Sequence, residues 1–89
     1  MKFTTTRLCG GLAIMASPVQ ESDVDMIQAF SVLSKVGEIK EHDELMIVMS
    51  WNGMDVTIYQ QGKVMFHPLS DKVKAVRLAN EIIDMIVSV

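Results

Sequence analysis

Asn52-Gly53 stands between two runs of alternating apolar residues, and no other dipeptide in the chain constrains its fold as much. A two-residue type I′ turn needs positive φ at both central positions, and Asn-Gly accepts that conformation readily. The pair therefore predicts an antiparallel hairpin. On its N-terminal side Leu45, Ile47, Met49 and Trp51 alternate with Met46, Val48 and Ser50. Both sets are largely apolar, which predicts a central strand. On its C-terminal side Met54, Val56 and Ile58 point one way, while Asp55, Thr57 and Tyr59 point the other. Gln61-Gly62 makes a second tight turn, and Lys63 to His67 returns with Val64 and Phe66 on one face. Pro68 ends the sheet.

Residues 2 to 15 carry strand formers, Thr4, Thr5, Thr6, Leu8, Leu12 and Ile14, around Gly10-Gly11. Paired glycines inside such a pattern mark a bulge or bend, so the segment is either one bent strand or two short ones. Ser17-Pro18 terminates it. A helix is predicted from about Ser22 to Ser34, with Ser22 as N-cap and Asp25 three residues on. Val24, Ile27, Phe30 and Leu33, with Met26, form its apolar face. Gly37 is a helix stop, and Glu38 to Lys40 is a short strand. Ser70-Asp71 caps a final helix running to about Val87, with Val73, Val76, Ala79, Ile83 and Ile86 on one side and Leu78 and Ile82 widening it. The expectation is an α+β fold: one domain with an antiparallel sheet of four to five strands and two helices packed on one face.

Composition excludes several function classes. A formal charge of −3 argues against general binding to a phosphate backbone. The lone cysteine, Cys9, leaves no intramolecular disulfide or Cys-rich zinc site and fits a reducing cytoplasm. No apolar run approaches the roughly 18 residues that a membrane span needs. Leu8 to Val19 follows Lys2 and Arg7 as a signal-peptide core would, but Gly10-Gly11 interrupts it and it reads as strand. The eight Met are adaptable core filler.

Seven of the eleven acids fall in two windows, Glu21-Ser-Asp23-Val-Asp25 and Glu38-Ile-Lys-Glu41-His-Asp43-Glu44. If the first strand runs up, the first helix begins at the top and descends. Gly37 turns it at the bottom, and the strand through Ile39 climbs back. Both windows then meet at one end of the domain. Clustered carboxylates repel and raise one another's pKa, and a hard cation relieves this. Calcium takes six to eight oxygens in flexible geometry. The expected ligands are Glu21, Asp23, Asp25, Glu41, Asp43 and Glu44, with Glu21 and Asp25 on one side of any helix that includes both. The first window opens like an EF-hand loop, yet Met26 replaces the required Gly and Val32 the required Glu, so no EF-hand is present. Binding weaker than about 10⁻⁴ M is expected. Acids at a helix start are also stabilised by the helix dipole without any metal.

No catalytic arrangement emerges. Cys9 with His42 or His67 would form a nucleophile and base only by long-range convergence, and a small core thiol is the simpler role. Gly62-Lys63 is a turn without the phosphate-loop pattern. Lys72, Lys74 and Arg77 read as a solvated helix face. The expected function is a non-enzymatic calcium-binding protein. The alternative is a protein-interaction module using the open sheet face, with Met46, Val48, Met65 and Tyr59, or an edge strand, to pair with another copy or a larger partner.

Val56-Thr-Ile58-Tyr-Gln-Gln-Gly62-Lys-Val64-Met-Phe66, followed by Ser70-Asp71 and a helix, resembles a hairpin-helix unit found in TATA-binding-protein repeats and at the C-terminus of some molybdopterin-synthase adenylyltransferases. This covers a third of the chain and brings over no catalytic or DNA-contacting residue. In length, element order and acidic loops the whole chain resembles a small conserved family of uncharacterised α+β proteins from methanogenic archaea. That resemblance implies two helices on one face of an antiparallel sheet and calcium binding at an acidic cluster.

Overall fold

A computed structural model describes residues 2–20 and 22–87. The strands are β1 (Phe3–Leu8), β2 (Ala13–Pro18), β3 (Glu38–His42), β4 (Met46–Trp51), β5 (Met54–Tyr59) and β6 (Val64–His67). The helices are α1 (Met26–Leu33), between β2 and β3, and α2 (Lys72–Val87), after β6. All six strands form one antiparallel sheet in the order β1-β2-β6-β5-β4-β3.

The sheet has more strands than the four to five expected, and two features account for this. Gly10 and Gly11 adopt φ of 68° and 91°, so they form a reversing turn rather than a bulge, and β1 and β2 are separate strands. Glu38–His42 also forms, with a register shift between Ile39 and Glu41. The Asn52-Gly53 turn has φ of 51° and 76°, as a type I′ hairpin requires.

Ile14, Ala16, Ile47, Met49, Val56, Ile58, Val64 and Phe66 are fully buried on one sheet face, together with Ala29 and Leu33 of α1 and Ala75, Leu78, Ala79, Ile82, Ile83 and Ile86 of α2. The two helices touch each other over this face, with α1 above β3 and β4 and α2 above β1 and β2. Met15, Met46, Val48, Thr57, Tyr59 and Met65 share the other face by register. Antiparallel sheets commonly leave one face uncovered in this way. Among the described residues no helix is long and apolar enough to cross a membrane.

α1 starts later than its pattern suggests, whereas α2 begins directly after the expected Ser70-Asp71 cap. Residues 22–25 are not helical. Val24 N–H donates to the Gln60 carbonyl at 2.8 Å, and Asp25 Oδ1, not Ser22, caps α1 by accepting from Ile27 and Gln28 N–H, each at 3.1 Å. This rotates the buried face onto Ala29 and Leu33 and leaves Ile27 86% exposed. In α2, Asp71 Oδ1 caps Val73 and Lys74 N–H at 3.0 and 3.1 Å, and Val73 is 81% exposed rather than buried. A residue in the first turn projects past the sheet end, so apolar character alone does not bury it.

Candidate functional site

Parts of the two acidic windows come together, and Gln60 explains how. Its carbonyl accepts from Val24 N–H, and its own N–H donates to the Leu45 carbonyl at 2.9 Å. The β5–β6 turn thus ties the segment before α1 to the β3–β4 turn. Asp25, Asp43 and Glu44 line one open cavity of about 520 Å³ together with Val24, Met26, Ile27, Phe30, His42 and Gln60. The Phe30 and His42 rings meet in a tilted contact, with centroids 4.3 Å apart and planes inclined by 38°.

The remaining candidates go elsewhere. Asp23 lines a neighbouring cavity with Gln28, Gly62 and Ile83, to which Asp25 also contributes. Glu41 pairs with Val48, so it lies on the open sheet face, turned away from Asp43 and Glu44. Glu21 lies outside the described residues. Because residues 22–25 are not helical, they give Asp25 no helical alignment with a residue four positions earlier. Asp25 and Asp43 each commit one oxygen to backbone. Asp43 Oδ1 accepts from Leu45 N–H at 2.7 Å and from Met46 N–H at 2.9 Å. Both acids therefore have a local role in capping α1 and in shaping the β3–β4 turn. Among the described residues no group of three or more His, Cys, Asp or Glu is placed to hold a metal ion.

The sheet edges form a second candidate, and they differ sharply. β3 carries Glu38, Lys40, Glu41 and His42 and a register shift, the devices that discourage strand addition. β1, Phe3-Thr-Thr-Thr-Arg-Leu8, pairs in unbroken register with β2 over all six residues. Val19 N–H donates to the Lys2 carbonyl at 2.9 Å. Continuing that alternation, Lys2, Thr4, Thr6 and Leu8 exchange hydrogen bonds with β2. Phe3, Thr5 and Arg7 therefore turn their N–H and C=O groups outward. Pro18, with no N–H to give, faces Phe3, where β1 asks none of it. The sequence offers an edge strand as a pairing surface, and only the topology shows that β1 is a terminal strand.

On the open face, Lys40 reaches across β4 to Asp55, with Nζ 2.6 Å from Oδ1. This hydrogen bond and the attraction between the charges hold the Asp55 carboxyl below the usual carboxylate range and raise Lys40 above its ordinary value. The folded pKa of Asp55 is depressed, so its contribution is present above the unfolded pKa and fades as pH falls through the folded one. For Lys40, raised on folding, the contribution is lost only as pH rises through the folded value, in the alkaline range. Both groups are exposed, so the pair has little weight in stability at neutral pH. In a carboxyl-detected NMR titration, Asp55 is expected to titrate at lower pH in the parent than in Lys40→Met. Coincident curves would mean that the ion pair does not persist in solution.

No protein-family model, curated protein or solved structure shows significant similarity to this chain. The described residues form a six-stranded antiparallel sheet with two helices on one face, ending in β1 on one side and β3 on the other.

Proposed function

We propose that this domain is a non-enzymatic protein-interaction module whose free β1 edge accepts an additional strand. One observation carries the reading. The two sheet edges differ: β3 is charged and irregular, whereas β1 is regular, rich in Thr and leaves the N–H and C=O groups of Phe3, Thr5 and Arg7 unpaired within the sheet. Strand addition draws affinity from such main-chain groups and takes specificity from alternate side chains. The half-buried Met15, Met65, Val48 and Tyr59 continue as an apolar band on the open face beside it.

The test is a titration of ¹⁵N-labelled protein with a large excess of the strand-forming peptide acetyl-Lys-Thr-Val-Thr-Val-Thr-Lys-amide. Amide shifts are expected to be largest at Phe3, Thr5 and Arg7, smaller at Thr4 and Thr6, and absent along β3. Equal shifts at both edges, or none at β1, would remove the reading.

A weakly held calcium ion is the second reading, favoured by the convergence of Asp25, Asp43 and Glu44 on one cavity. Oxygens not committed to backbone would supply the site, with affinity of about 10⁻⁴ M or weaker. Calcium is then expected to shift amides at 23–26 and 41–45 more than magnesium does at matched ionic strength, and Asp43→Asn to abolish the response. Small shifts throughout the chain, equal for the two metals, would reduce these acids to caps and solvated surface.

A further inference from the structure

We infer that the strand accepted by the β1 edge belongs to a second copy of this chain, paired antiparallel with Thr5 facing the second copy's Thr5. This rests on the reading of β1 as a strand-accepting edge and adds the identity and register of the partner.

A two-fold axis perpendicular to the sheet is the symmetry that joins two identical edges antiparallel, and it keeps both helical layers on the same side. Directly opposed residues must then share a sheet face, which means that odd positions meet odd positions along β1. The free hydrogen-bonding groups also sit on odd positions, at Phe3, Thr5 and Arg7. The symmetry and the hydrogen bonding therefore ask for the same registers. With Thr5 on the axis, the Thr5 pair exchanges two hydrogen bonds, and each of the two Phe3–Arg7 pairs exchanges two more. Sliding the strands by two residues in either direction carries Phe3 or Arg7 past the end of its partner strand and loses bonds.

Charge favours the same arrangement. In the Thr5-centred register Arg7 faces the second copy's Phe3, so no like charges oppose each other and the guanidinium lies beside an aromatic ring. The helices agree as well. α2 contacts β1 and β2, so the two copies of α2 flank the two-fold axis. They run antiparallel. Exposed Lys72, Lys74 and Arg77 lie in the first half of α2, and exposed Glu81 and Asp84 in the second. Reversal across the axis sets the basic half of one helix along the acidic half of the other. The charged, irregular β3 edge stops the assembly at two copies.

Sedimentation equilibrium tests this with the parent and two variants. The parent is expected at about 20 kDa, twice the 9.9 kDa of the chain. Thr5→Pro removes an N–H that points away from β2, so the hairpin keeps its bonds while the dimer loses two. Its dimer dissociation constant is expected to rise about thirtyfold or more, with an unchanged circular dichroism spectrum. Thr5→Asp sets two carboxylates face to face on the axis and serves the same purpose if the proline variant does not fold. A dimer unaffected by both changes, or a parent that stays at 9.9 kDa at millimolar concentration, overturns the proposal. The peptide titration separates the two failures. A monomeric parent whose Phe3, Thr5 and Arg7 amides still respond to peptide overturns self-pairing alone. A monomeric parent with no such response overturns the edge reading with it.

Discussion

Phe66→Ala is expected to bring the domain close to its unfolding midpoint, with a loss of about 3–5 kcal/mol. Phe66 is fully inaccessible and the bulkiest of the fully buried side chains. It sits on β6 between Ile14 of β2 and Val56 of β5, at the point where the β1–β2 hairpin joins the β3–β5 part of the sheet. Truncation leaves a cavity in the core that strands hydrogen-bonded on both sides cannot close, so the cavity cost adds to the lost transfer free energy. A domain of this size has about 5–10 kcal/mol in total. Phe66→Leu keeps most of the volume and is expected to cost about 1–2 kcal/mol. Urea denaturation followed by far-ultraviolet circular dichroism checks both. An alanine variant within about 1 kcal/mol of the parent would show that the sheet centre relaxes, contrary to this packing.

The second large effect has a sign that local propensity gets wrong. Gly37→Ala is expected to destabilise by about 1–3 kcal/mol, lowering Tm by roughly 5–20 °C. Gly37 is not in the left-handed region, so alanine suits its backbone, and on conformational entropy alone the change would stabilise by about 0.4–1 kcal/mol. The obstacle is space. A Cβ built on Gly37 lies 2.7 Å from the Ser50 carbonyl oxygen, which belongs to the backbone of β4 and cannot rotate away. Either α1 or the β3–β4 pairing must shift. Thermal unfolding decides the sign, and a raised Tm would mean that the approach of residue 37 to β4 is looser than the structure has it.

Gly37 also shows what part of the fold could be read from residues alone. Its position just after a helix is legible, and the helix does end there, with Gly37 N–H donating to the Leu33 carbonyl at 3.0 Å. The reason is not. Gly37 is not in the left-handed region, and the close approach of the Ser50 carbonyl of β4 is the physical cause, which no residue near Gly37 reveals. The hairpin at Asn52-Gly53 was legible because its cause is local: two adjacent residues adopt positive φ at little cost. Asp71 was legible as part of a cap for the same reason, since its oxygen reaches only two and three residues ahead.

The candidate site divides along the same line. Chain direction was enough to bring the acidic windows to one end of the domain, and Asp25, Asp43 and Glu44 meet there. Chain direction says nothing about sheet face. The register shift in β3 puts Glu41 on the opposite face from the cavity, and the late start of α1 sends Asp23 towards Gly62 and Ile83. The tilted contact of Phe30 with His42 and the bridging role of Gln60 had no sequence signature, because each joins residues distant along the chain.

By itself, then, the sequence determined what short-range sterics and alternation can determine: strands with one apolar face, two capped helices, glycine turns, and an acidic end. Those depend on φ preferences, side-chain period and caps within a few residues. Only the tertiary structure decided that β6 inserts between β2 and β5, making β1 and β3 the terminal strands, one bare and one guarded. Strand order depends on which long-range pairing best buries Phe66, Ile14 and Val56 under two helices. That is a property of the whole core, and no local segment encodes it.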